Sequence, residues 1–96
     1  MNITEEQKQE ADRIVDFYLQ YCHYSTDREF VSREKAIETR RKYATHCAIQ
    51  DRQSVLEDNK SVFEMLKLHG DIRICLPIHE RIQSLTNQIE YLKTKI

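Results

Sequence analysis

The sequence contains one glycine, one proline and no tryptophan among its 96 residues. Glycine and proline supply the backbone conformations of tight turns, and glycine-rich loops also hold phosphate groups in nucleotide-binding folds. Their scarcity therefore argues against a β-sandwich, a barrel, a Rossmann unit and a P-loop. The length argues against a multidomain enzyme, because single domains cluster near about 100 to 150 residues.

The three cysteines are an odd number without the spacing of a disulfide framework, so we expect free thiols. Neither a CxxC nor an HxxxH motif is present. Cys22 and His23 are adjacent, and adjacent side chains on a helix point too far apart to chelate one ion. We therefore predict no metal site and no cofactor.

Charge and hydropathy also restrict the partners. The chain has 15 basic and 16 acidic residues, a net charge of -1, so no whole-molecule field attracts nucleic acid or an anionic membrane. Its beginning, MNITEEQKQE, lacks the basic and apolar regions of a signal peptide, and no run approaches the ~18 apolar residues of a membrane span. We predict a cytoplasmic protein without membrane contact.

Two capping boxes predict the first two helices. The first runs from Thr4 to Gln7 and the second from Thr26 to Glu29, and apolar residues recur at helical spacing after each. We predict helices over about 5-24 and 27-57. Because the first helix is acidic and the second basic, we expect them to pair as an antiparallel hairpin. The arginines of the second helix either extend out to solvent or meet carboxylates such as Asp12 and Asp16 of the first.

The remaining sequence predicts two more helices. A third capping box, from Ser61 to Glu64, opens a short helix over about 61-69, and Gly70 then fits a left-handed C-cap. Leu76 precedes Pro77, which favours extended geometry, so we predict an extended connector over 71 to 76, with a kinked helical turn as the alternative. Proline suits the first turn of a final helix, which we place at about 78-96.

The final helix carries the most regular pattern in the chain. Its apolar residues alternate in steps of four and three and are Ile78, Ile82, Leu85, Ile89, Leu92 and Ile96. Isoleucine and leucine in this order are typical of parallel two-stranded coiled coils. The stripe could serve an antiparallel bundle within one chain, a homo-oligomer, or docking to another protein. We predict it as an oligomer or partner seam, with a homodimer as the leading assembly.

A basic segment is the second candidate site. Residues 27–52 carry seven basic and five acidic side chains. The basic ones include the cluster Arg40, Arg41 and Lys42, and Arg33 seven residues before it. Such residues could bind phosphate or nucleic acid, although adjacent charges fan out around a helix. The alternative is a solvated helical face whose acidic and basic residues pair with each other.

Together these patterns predict one all-α domain over residues 1-96, a small helical bundle built on an antiparallel helical hairpin plus a C-terminal heptad helix. The chain offers neither the loops of an oxyanion site nor a carboxylate in an apolar stretch, so we predict no enzyme. The expected function is a protein-protein interaction module, a homo-oligomeric adaptor or a small regulator or inhibitor of another protein. Binding of phosphate or nucleic acid by the basic segment is the alternative.

Overall fold

A computed structural model of the chain describes residues 3–21, 33–68, 70 and 72–96. These residues form three α-helices: α1 is Glu5–Tyr21, α2 is Arg33–Leu68 and α3 is Ile72–Lys93. No strand occurs among the described residues. The all-α class and the small helical bundle predicted from the sequence are therefore confirmed.

The start of α1 is set by the predicted capping box. The Gln7 backbone N–H donates to Thr4 Oγ1 at 3.1 Å, and the Thr4 N–H donates to Gln7 Oε1 at 3.2 Å. This reciprocal pair satisfies two donors that a helix N-terminus otherwise leaves unpaired. The last predicted residues of this helix, 22–24, and the capping box at Thr26 lie outside the described residues.

The second and third predicted helices are one helix of 36 residues, so the predicted break at residues 58–60 is wrong. Asn59 lies within the helix, and its side-chain amide donates to the Val55 carbonyl at 2.8 Å. An ion pair at helical spacing, Lys60 with Glu57, spans this point, and a second, Lys67 with Glu64, follows it. A capping-box sequence is equally compatible with a helix interior when no glycine or proline stops the backbone. Residues 27–32, the predicted beginning of this helix, are outside the described part.

Gly70 ends α2 as predicted. Its φ is +72°, in the left-handed region, and its N–H donates to the Lys67 carbonyl at 3.3 Å. The chain then becomes helical again at Ile72, so the predicted extended connector is wrong for residues 72–76, where the helical alternative applies.

Pro77 therefore lies inside α3 and not at its first turn. Proline removes one backbone donor, which would otherwise reach the Arg73 carbonyl four residues earlier. Pro77 is the sixth residue of α3 and so lies beyond the first four, whose N–H groups lack partners in any helix, and it therefore removes one hydrogen bond. At the other end α3 finishes at Lys93, three residues before the predicted end. Thr94 then closes a turn, because its hydroxyl donates to the Tyr91 carbonyl at 2.6 Å.

The three helices pack with α1 in a groove between α2 and α3. Helices α2 and α3 lie side by side and run in opposite directions on either side of the Gly70 turn. The ring centroids of Phe63 on α2 and His79 on α3 are 5.8 Å apart. Contacts of α1 with α2 also run in opposite order, since Glu10 reaches Arg52 while Leu19 reaches Arg40, consistent with the predicted antiparallel hairpin. The buried apolar core combines residues from all three helices: Ala11, Val15, Ala44, Ala48, Ile49, Leu56, Leu85, Ile89 and Leu92.

The helices differ greatly in length, and this shapes the molecule. The 17 residues of α1 extend about 26 Å and the 36 residues of α2 about 54 Å, at the ordinary rise of an α-helix. The protein measures 59 × 23 × 17 Å along its principal axes. The pair of α2 and α3 consequently projects well beyond the N-terminal end of α1, as a two-helix hairpin that ends at the Gly70 turn.

Candidate functional site

The heptad stripe of the final helix lies mainly in the core of the chain itself. Leu85 and Leu92 are fully buried and Ile89 is 6% exposed, all within the cluster that includes residues of α1 and α2. These three side chains therefore serve the intrachain bundle and are not accessible to a second chain. At the two ends of the stripe, Ile78 and Ile82 are half-buried and Ile96 is 47% exposed.

The charged centre of the protein is Glu10 on α1. Its Oε1 accepts from Arg81 Nη2 of α3 at 2.8 Å and from Arg52 Nη1 of α2 at 3.4 Å, and its Oε2 accepts from Gln88 Nε2 at 3.1 Å. Arg52 also binds Asp51 at 2.7 Å, and only 9% of its side chain is exposed. One carboxylate thus joins all three helices at the point where α1 meets the hairpin.

This arrangement changes the acidity of Glu10. The hydrogen bond from Arg81 is the main reason that the pKa of the Glu10 carboxyl lies below its ordinary value of 4.5, with further lowering by Gln88 and Arg52 against the opposing effect of burial. Gln88 is completely buried, and its Oε1 has no hydrogen-bond partner among the residues that the structure describes. Because the charges of Glu10 are already neutralised by neighbouring helices, we interpret this cluster as a structural joint between the helices.

This joint was not predicted from the sequence, although the sequence contains a signal for it. Gln88 occupies a core position between Leu85 and Leu92, and Arg52 lies between the buried residues Ile49 and Leu56. Polar side chains on an apolar stripe are buried only when they find partners, so such positions indicate interhelical hydrogen bonds.

Two tyrosine hydroxyls add further links between helices. Tyr91 donates to Asp12 at 3.0 Å, and Tyr18 donates to Asp51 at 2.9 Å. The expectation that arginines meet Asp12 is therefore corrected: its hydrogen-bond partner is a tyrosine. Asp12 and Asp16 line a solvent-open cleft of about 480 Å³ together with Arg41, but among the described residues neither carboxylate forms an ion pair.

The four basic residues predicted to bind phosphate lie exposed on the first third of α2, but they do not form one cluster on a single face of the helix. Arg40 Nη2 donates to the Leu19 carbonyl at 3.3 Å, and Lys42 pairs with Glu38 at 3.5 Å. Arg33 shares a face with Arg40, seven residues away, whereas Arg41 and Lys42 point to other sides of the helix. Two of the four donors are thus already used within the chain, and phosphate binding stays a prediction.

Cysteine and histidine residues show no arrangement for a metal ion in the described part of the chain, where no group of three possible ligands occurs. Cys47 and Cys75 carry thiols that are not joined in a disulfide, and both are half-buried. Cys22, His23 and His69 lie outside the described residues. His79 contacts the Phe63 ring.

The most prominent exposed feature is the projecting end of the hairpin. On α2, residues Asp51, Val55, Asp58, Val62 and Met65 follow one another in steps of four and three, and therefore share one helix face. Asp51 binds Tyr18 of α1, and Val55 packs against the core, so this is the face that α1 covers. Asp58, Val62 and Met65 continue it beyond α1.

The same relationship holds on α3. Arg73, Pro77, Glu80, Ser84, Asn87 and Tyr91 follow in steps of four and three. Asn87 donates to Gln7 and Tyr91 to Asp12, so this face also looks toward α1.

We name the uncovered part of the two faces the tip surface; its residues are Asp58, Val62, Met65, Arg73, Pro77 and Glu80, all exposed. It is the stretch of the α1 groove that α1 is too short to fill. Val62 is 43% exposed and Met65 62%, while Leu66, one residue further on, is half-buried beside them. Leu68 and Leu76 add exposed apolar area next to the turn, at 86% and 55%.

None of the described helices has an apolar stretch long enough to cross a lipid bilayer. Comparisons with known protein families, with curated proteins and with solved structures found no match for this chain.

Proposed function

We propose that this protein is a non-enzymatic protein-protein interaction module that binds another polypeptide through the tip surface. One observation carries the proposal: the interhelical groove that holds α1 continues past the end of α1 with exposed apolar side chains. Val62 and Met65 occupy the same face of α2 as Val55, which packs against the core. Such a groove suits the apolar face of an amphipathic helix, because that is what its covered half already holds.

The size and position of the surface support the same use. Exposed apolar residues in a continuous patch on a small protein mark interaction sites more often than isolated ones do. Here Val62, Met65, Leu68 and Leu76 all lie within the projecting end of the hairpin. An adaptor or a regulator of another protein would act through this end, and a homodimer would use it to join two chains.

Site-specific photo-crosslinking in the native host tests the proposal. A photoreactive amino acid replaces Met65, and in a matched control it replaces Ile37, which has a similar exposure of 54% on the same helix but at its other end. We expect a covalent adduct with one defined polypeptide, identified by mass spectrometry, from position 65 and not from position 37. Equal or no adduct at both positions would overturn the proposal.

A further inference from the structure

We propose that the occupant of the tip surface is the tip of a second copy of this chain, packed face to face and antiparallel about a two-fold axis. This inference rests on the proposed function and names the partner of the same surface. In each chain α1 fills one half of the groove, and in the dimer the partner's hairpin fills the other half.

Space along the groove fits this occupant. Gln7, in the first turn of α1, binds Asn87, and Glu10 binds Arg52. The N-terminal end of α1 therefore lies close to this level of the hairpin. From Asn87 to Arg73 the α3 backbone extends about 21 Å further. A hairpin end of the same length can lie antiparallel in this space, with its turn next to the N-terminus of α1.

Charge complementarity sets the orientation. On the α1-facing side of α3, Arg73 lies next to the turn and Glu80 lies seven residues closer to α1, roughly 10 Å along the helix. When two such helices pack antiparallel with the axis midway between the two residues, Arg73 of each chain meets Glu80 of the other. If the same two α3 helices packed parallel to each other, Arg73 would instead lie opposite Arg73 and Glu80 opposite Glu80, which is unfavourable.

The apolar residues fit the same axis. The midpoint between Arg73 and Glu80 falls next to Pro77 on α3. Since Phe63 and His79 are in contact, residues of α2 and α3 lie level when they are equally far from this pair, and Met65 is level with Pro77. The exposed Met65 side chain would therefore lie at the centre of the dimer and the ionic pairs at its two ends. The register that the charges indicate thus also places an exposed apolar side chain at the centre of the dimer.

Light scattering over a range of concentrations measures whether this dimer exists. We expect a concentration-dependent rise from the 11.6 kDa chain mass to twice that value, persisting at high salt because the centre is apolar. The double variant Val62→Asp with Met65→Asp should remain at the single-chain mass with unchanged helix content by circular dichroism. Ile37→Asp, equally polar but at the other end of α2, should dimerise like the unchanged protein.

A charge exchange tests the register. Arg73→Glu and Glu80→Arg should each weaken dimerisation at low salt by about three- to tenfold, because each change breaks two symmetric pairs. The variant with both changes should regain the original dissociation constant within about twofold, and the differences should vanish at high salt.

The outcomes separate the two proposals. A chain that is monomeric at all concentrations, a dimer indifferent to the Val62 and Met65 changes, or a double charge variant as weak as the single ones would overturn the inference. If the crosslink from position 65 then still joins a different polypeptide, the interaction module stands without the homodimer. If position 65 gives no adduct, both proposals fail.

Discussion

Arg81 Nη2 on α3 lies 2.8 Å from Glu10 Oε1 on α1, although 71 residues separate the two in sequence. The same carboxylate also accepts from Arg52 on α2 and Gln88 on α3. Glu10 therefore marks the level at which the short first helix is anchored, and it lies just before the stretch of hairpin that α1 leaves uncovered. Anchoring at this level is what leaves the tip surface available to a partner.

Removing the guanidinium of Arg52 should destabilise the fold. Arg52→Met keeps the length of the side chain but deprives Glu10 and Asp51 of a buried charged donor. We expect a loss of about 1–3 kcal/mol in the free energy of unfolding, measured by urea denaturation at one protein concentration. Arg33→Met, an exposed arginine on the same helix, should change it by less than about 0.5 kcal/mol. Equal effects of the two changes would contradict a structural role for the Arg52 pairs.

The stability contributed by Glu10 should depend on pH. Its pKa is lowered in the folded state, chiefly by Arg81, so the contribution is fully present above the ordinary value of 4.5 and is lost as the pH falls through the folded pKa. Thermal unfolding of the unchanged protein and of Glu10→Gln should therefore differ most at neutral pH, with the variant less stable. The difference should shrink as the pH falls below about 4.5 and close once the pH has passed the lower folded pKa. A gap that widens on acidification would show that the sign is wrong.

The heptad stripe of α3 should divide into core and surface positions. Leu85→Ala and Leu92→Ala each remove a fully buried side chain and should cost about 2–5 kcal/mol in chemical denaturation. Ile96→Ala, at the exposed end of the same stripe, should cost less than about 0.5 kcal/mol. If the Ile96 change were as damaging as the other two, the stripe would be covered along its whole length.

Gly70→Ala should destabilise the protein through its backbone alone. The glycine has a φ of +72°, and an added Cβ would meet no described atom within 4 Å beyond its own residue and its two chain neighbours, so packing against the rest of the fold does not contribute. We expect a loss of about 1 kcal/mol in urea denaturation, because an L-residue with a side chain resists the left-handed conformation. Asparagine at this position should cost less, since it tolerates that conformation better. As a control, Ser61→Ala, at an exposed position within α2, should be neutral or slightly stabilising. A Gly70→Ala variant as stable as the unchanged protein would contradict the left-handed turn.

Local patterns predicted part of this architecture well. The capping box at Thr4, the helix after it and the left-handed turn at Gly70 depend on neighbouring residues, and all were found where the sequence placed them. The spacing of apolar residues in the final helix predicted which of its faces is buried, and Leu85 and Leu92 lie on that face. Local patterns failed at residues 58–60, where the helix continues through a possible cap.

The sequence by itself determined the helical class, the first helix start and the place of the turn, because these follow from backbone preferences and from spacing within a few residues. Only the tertiary structure decided that the heptad stripe packs inside its own chain, that Glu10 joins three helices, and that the groove continues past α1. Each of these depends on how far one helix reaches along another. That relation is set by contacts between residues distant in sequence, such as Gln7 with Asn87, and no local pattern contains it.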